Sequence, residues 1–73
     1  MENNETNGQR LKRLRKEKGL TQGQLAELAG LNLRTLQHYE QDSKDIGQAA
    51  ALTVCDIADV LGVSVKQLLG REN

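Results

Sequence analysis

The chain has 73 residues, ten basic and ten acidic side chains and no net charge with its single His neutral. A domain of this size buries only about 60% of its unfolded surface, and no separate sensing domain is expected within it. One Cys excludes an internal disulfide, one Tyr with no Phe or Trp argues against strands, and no apolar run nears the ~18 residues of a membrane span.

Residues 1–7 are polar and read as a flexible N-terminal tail. A first helix is expected from about Gly8 to Lys18, with Leu11 and Leu14 inward and Gly19 as its stop. Thr21 can cap a second helix that begins at Gln22, and Gln24, three residues on, can close a capping box. Leu25, Ala26, Leu28 and Ala29 fall at helical spacing, and Gly30 supplies a left-handed stop. Leu31 enters a turn and Asn32 caps a third helix that runs to about Gln41, with Leu36 and Tyr39 on its inner face. Leu33, Arg34, Gln37 and His38 stand at i, i+1, i+4 and i+5, so they share the outer face. A fourth helix is expected over Ile46 to Leu61, with Leu52, Cys55, Ile57, Ala58 and Leu61 inward and Gly62 ending it. Ser64 caps a last helix holding Val65, Leu68 and Leu69 before Gly70, and residues 71–73 form a short tail. The expected fold is an all-α, compact five-helix bundle over residues 8–70.

No glycine-rich phosphate loop, metal-ligand cluster or internal repeat is present. His38 and Cys55, on different helices, give neither zinc spacing nor a nucleophile pair, so neither catalysis nor a cofactor is expected. Cys55 is expected to be an inert core residue. Charge is polarised along the chain. Arg10, Lys12, Arg13, Arg15, Lys16 and Lys18 face Glu17 alone within residues 10–18, whereas Glu40, Asp42, Asp45, Asp56 and Asp59 outnumber Lys44 over residues 40–59. A basic helix of this kind serves either as a solvated face or as a surface that attracts phosphate. The start M-E-N-N-E-T-N lacks the apolar core of a signal peptide, so a cytoplasmic chain is expected.

Two short helices joined by a three- or four-residue turn, as in Thr21 to Glu40, have the helix-turn-helix layout. Periodicity by itself equally allows a helical hairpin that only packs. The run R-L-K-R-L-R-K-E-K-G-L-T-Q-G-Q-L-A-E-L-A-G-L-N-L-R-T-L-Q-H-Y-E, followed by I-A-D-V-L-G-V-S-V-K-Q-L-L, resembles the Cro and lambdoid phage repressor family, the XRE-type helix-turn-helix proteins. The resemblance covers about residues 9 to 70. It implies a repressor-like fold that binds double-stranded DNA as a transcriptional regulator, a repressor, in the nucleoid of a bacterium or phage host.

Carried over position by position, the resemblance implies that Gln22 contacts a phosphate, with Arg10 and Lys44 as further phosphate contacts. Arg34 and His38 match positions that touch bases, with Gln37 between them. Leu33 matches a base-reading position without a polar group, which suits either a thymine methyl or simple surface cover. Arg15 and Glu40 match an ion pair that links the first helix to the end of the reading helix, and Tyr39 is expected in the core. Where the family commonly has N-G and basic residues, this loop reads Q-D-S-K-D, and Asp42 and Asp45 near phosphate would repel it. The family's two-fold dimers suggest an interface at Val65, Leu68 and Leu69, although these residues could equally close the core. An alternative is an antitoxin-like or anti-repressor module that uses the same fold to hold a protein partner.

Overall fold

Four of the five α-helices in residues 5–71, the part of the chain that the computed structural model describes, start on a side chain that caps the first turn. Thr6 Oγ1 accepts from Gln9 N at 3.1 Å and Gln9 Oε1 accepts from Thr6 N at 2.9 Å, which opens α1 (Asn7–Glu17). Thr21 and Gln24 repeat the arrangement at 3.1 and 2.9 Å and open α2 (Gln22–Leu28). Asn32 Oδ1 accepts from Arg34 N at 2.8 Å at the start of α3 (Leu33–Glu40). Ser64 Oγ accepts from Gln67 N at 2.9 Å to start the short α5 (Val65–Leu68). Only α4 (Ala51–Leu61) begins without a side-chain cap, after Ala50. Between α2 and α3, Gly30 takes φ +71°, and Leu31 N donates back to Ala26 O at 2.7 Å, which turns the chain sharply.

Helix α3 packs on both α1 and α2, while α5 closes against α1 and α4. The core holds Leu11, Leu14, Leu25, Leu36, Ile46, Ile57 and Leu68, with Ala26, Ala29, Val54, Ala58 and Leu61 around them. Each buried Leu or Ile contributes about 1.5–3 kcal/mol relative to exposure. None of the described helices is long and apolar enough to cross a membrane.

Several boundaries and faces differ from expectation. Thr6 and Asn7 belong to the start of α1 rather than to a tail, because the Thr6 capping box fixes them. Residues 1–4 and 72–73 of the two expected tails lie outside the described residues. The expected fourth helix is broken: a 3-10 turn, Ile46–Gln48, capped by Asp45, comes first, then extended backbone at Ala49, then α4. With the first turn at Ala51, residues Val54, Ile57, Ala58 and Leu61 occupy i, i+3, i+4 and i+7 and form the inner face. Leu52 is consequently 78% exposed, and Cys55 is exposed rather than in the core. In α2 the buried stripe is Leu25, Ala26 and Ala29, which leaves Leu28 outside it and 63% exposed.

The loop after α3 turns back on the N-terminus of α1. Asp42, at φ +61°, accepts from Gly8 N at 2.9 Å through Oδ1 and from the Thr6 hydroxyl at 2.5 Å through Oδ2. Asp45 Oδ1 accepts from Gly47 N at 2.8 Å and from Asn7 Nδ2 at 3.2 Å. A carboxylate beside the first turn of a helix is stabilised by the helix dipole and by the free N–H groups there.

Candidate nucleic-acid interface

The outer face of α3 carries the four residues that the sequence singles out. Leu33 is 44% exposed, Arg34 is exposed, and Gln37 and His38 are half-buried. Arg34 makes no side-chain hydrogen bond or ion pair among the described residues, so its five N–H donors are available to a ligand. His38 is partly committed. Its Nδ1 lies 2.8 Å from Ser43 Oγ, and its carbonyl oxygen accepts from Ser43 N at 3.0 Å and Lys44 N at 3.2 Å. The ring therefore braces the loop and keeps Nε2 for other contacts.

Under this face lies the Arg15–Glu40 pair. Arg15 Nε donates to Glu40 Oε2 at 2.7 Å and Nη2 to Oε1 at 3.1 Å, with the two side chains 9% and 2% exposed. Arg15 Nη1 also donates to Leu20 O at 2.8 Å, so the guanidinium ties α1, the α1–α2 turn and the end of α3 together. Gln22 is attached to the same carboxylate: its Nε2 donates to Glu40 Oε1 at 3.0 Å, and its Oε1 accepts from Gln37 Nε2 at 3.4 Å. No buried side-chain nitrogen or oxygen among the described residues lacks a partner.

The expected phosphate contacts divide. Gln22 sits at the start of α2, half-buried, with one amide N–H still unused after its bond to Glu40. Lys44 is exposed in the loop. Arg10 does not fit the role: its side chain is only 13% exposed and its guanidinium donates to Asn7 Oδ1 at 2.7 Å, Leu68 O at 3.3 Å and Glu5 O at 3.1 Å. It clasps the start of α1 to the end of α5, which removes it from the surface. Arg13 is likewise occupied, by Glu5 at 2.8 Å and Glu17 at 3.0 Å, and these hydrogen bonds, Glu5 first, raise its pKa above the ordinary guanidinium value. Lys12, Lys16, Lys18, Arg34, Lys44, Lys66 and Arg71 are the exposed cations that enter no ion pair among the described residues.

The acidic loop has a structural role as well. Asp42 and Asp45 direct their carboxylates to the start of α1 and to the 3-10 turn, where they act as anchors. Of the three C-terminal apolar residues expected at an interface, Leu68 is fully buried and fills the core. Val65, at 36% exposure, and half-buried Leu69 keep free area.

Comparison with known proteins places this geometry. An immunity repressor protein of Bacillus phage phi105 is 40% identical over 67 residues, which is 92% of this chain and 44% of that relative. The chain thus spans less than half the length of the curated relative it matches. Among solved structures, SinR, the master regulator for biofilm formation, crystallised in complex with DNA, superposes with a TM-score of 0.80 at 36% identity, covering 86% of this chain and 97% of that one. The N-terminal DNA binding domain of SinR from Bacillus subtilis gives 0.79 at 35% identity, over 89% and 91% of the two chains. The restriction-modification controller protein C.AhdI from Aeromonas hydrophila gives 0.78 at 30% identity, over 88% and 92%. The family model described as a helix-turn-helix domain matches residues 8–73 and so runs through all five helices, and the chain belongs to that helix-turn-helix domain family.

Proposed function

We propose that this chain binds double-stranded DNA at a specific sequence and regulates transcription, with repression by occupation of a promoter as its mode of action. One observation carries the reading: α3 is fixed on α1 and α2 and presents Leu33, Arg34, Gln37 and His38 on the side that faces away from the core. A helix of this size fits the major groove, where those side chains meet base edges. The likeness to SinR, whose structure was determined with DNA, and to a phage immunity repressor supports it. Gln22 and Lys44 serve as phosphate contacts, assisted by exposed Lys12, Lys16 and Lys18, and no catalytic step is assigned. The chain acts in the cytoplasm, where its operator is.

Two copies bind a two-fold operator whose half-sites lie about one helical turn, roughly 34–36 Å, apart. Val65 and Leu69 form the contact between them. Light scattering is expected to give two chains per operator duplex; one chain per duplex at saturation would reject the dimer. Exposed Leu28 and Leu52 favour a second reading, in which the fold holds a protein partner; co-purification with such a partner and no preference among duplexes would support it.

The test is selection of bound duplexes from a random pool, repeated with Arg34→Ala. Arg34 is expected to pair with guanine O6 and N7, and the variant is expected to lose about 1–3 kcal/mol of discrimination at one base pair. Uniform weakening at every position would make Arg34 a phosphate contact instead. Affinity is expected to fall with salt by about 0.9 log units per log unit for each phosphate neutralised, and Lys44→Ala to lower that slope by about one such step.

A further inference from the structure

A directed chain of hydrogen bonds runs from the core to the outer face of α3. Arg15 donates to both oxygens of Glu40, Glu40 Oε1 accepts from Gln22 Nε2 at 3.0 Å, and Gln22 Oε1 accepts from Gln37 Nε2 at 3.4 Å. Direction is forced at the first link. A carboxylate paired with a guanidinium can only accept, so Gln22 must turn its NH2 toward Glu40 and its carbonyl oxygen toward Gln37. That oxygen can in turn only accept, so Gln37 must turn its own NH2 toward it. Which way a side-chain amide points is ordinarily open, and here the ionised carboxylate decides it for both glutamines.

Gln37 is left with one N–H and its whole carbonyl oxygen, side by side on one planar head. A donor beside an acceptor complements the adenine edge in the major groove, with N7 accepting and the N6 amino group donating. It does not complement guanine, which offers two acceptors there. We infer that Gln37 is the adenine-reading residue of this interface and that Gln22 is a positioning residue that, held by Glu40, fixes the edge the Gln37 amide presents. The inference rests on the DNA-binding reading above and adds to it a base for one residue and a role in specificity for the buried ion pair.

The test compares duplexes selected from a random pool by the unaltered chain, by Gln37→Ala and by Gln22→Leu, with circular dichroism melts of all three as the check on folding. The unaltered chain is expected to prefer adenine at one position of each half-site by ~10-fold or more. Gln37→Ala is expected to make that position indifferent while the other positions keep their preferences. Gln22→Leu leaves Arg15 and Glu40 intact and is expected to relax the same adenine, alongside a general loss of affinity from the missing phosphate contact. A purely structural role for Gln22 would weaken all positions equally. Adenine selectivity that persists in Gln37→Ala, or a lost position that is not adenine, would overturn the inference and leave DNA binding standing. Adenine selectivity that persists in Gln22→Leu would overturn the positioning role. If the unaltered chain enriches no sequence, the proposed function fails and this inference with it.

Discussion

Arg15→Ala is expected to lower stability by about 3–5 kcal/mol, because it strands a carboxylate that is almost wholly out of water. Glu40 is 2% exposed at its side chain and takes two of its three hydrogen bonds from Arg15. After the substitution only the Gln22 amide remains to solvate the charge. Were the pair exposed, its loss would cost about 0–1 kcal/mol, so burial decides which magnitude applies. A domain of this length has roughly 4–11 kcal/mol of stability in total, and the variant is expected to melt about 12–40 °C lower or to be largely unfolded at room temperature. Thermal melts by circular dichroism check it, and a melting point unchanged within a degree or two would refute it. The double variant Arg15→Met with Glu40→Leu is expected to recover most of the loss, since two apolar side chains of similar volume strand no charge. That recovered protein is also informative about DNA: it keeps α3 packed while removing the acceptor that orients Gln22.

The ion pair illustrates what sequence can and cannot convey. No spacing rule brings residues 25 positions apart on two helices into contact, and Arg15 with Glu40 became a pair only through the family resemblance. Local signals were more direct. Thr21 and Gln24 declare a helix start, because a capping box is a property of four consecutive residues. The same pattern stands at Thr6 and Gln9, and it was equally legible, but it lies in a polar stretch ahead of the first apolar repeat at Leu11 and reads as part of a tail. The break before α4 had no comparable signal. Ala50 has no side-chain acceptor to mark a cap, so the pattern runs on through residues 46–50 and carries the wrong face with it, placing Leu52 and Cys55 inside and omitting Val54. Charge was legible only in part. The composition of Q-D-S-K-D gives the sign of the loop but not the direction of its carboxylates, which depends on Thr6, Asn7 and Gly8, more than thirty residues away. Arg10 fails as a phosphate contact for the same reason, since its partners include the carbonyl oxygen of Leu68 at the far end of the chain.

Gly8→Ala is expected to be as damaging as a core truncation, although it adds one methyl group near the start of a helix, where Ala is ordinarily the better residue. A Cβ at Gly8 would lie 2.5 Å from the backbone oxygen of Tyr39 and 2.7 Å from Asp42 Oδ2. Side-chain rotation can relieve the second contact but not the first, because the Tyr39 carbonyl belongs to the last turn of α3. The start of α1 must therefore move off α3, and the bond from Gly8 N to Asp42 Oδ1 goes with it. Overpacking of this kind costs about 1–3 kcal/mol and a hydrogen bond to a charged group about 1.5–3, which together predict a loss of about 3–5 kcal/mol. Asp42→Asn separates the two contributions. It keeps an acceptor for Gly8 N and a side chain that tolerates φ +61°, so its loss is expected to stay near 1 kcal/mol. Urea midpoints of the two variants measure the difference, and hydrogen exchange in the first turn of α1 is expected to quicken in Gly8→Ala more than in Asp42→Asn. A Gly8→Ala midpoint equal to that of the unaltered chain would mean that α1 does not seat on the Tyr39 carbonyl, and the anchoring of the acidic loop would then have to be reassigned.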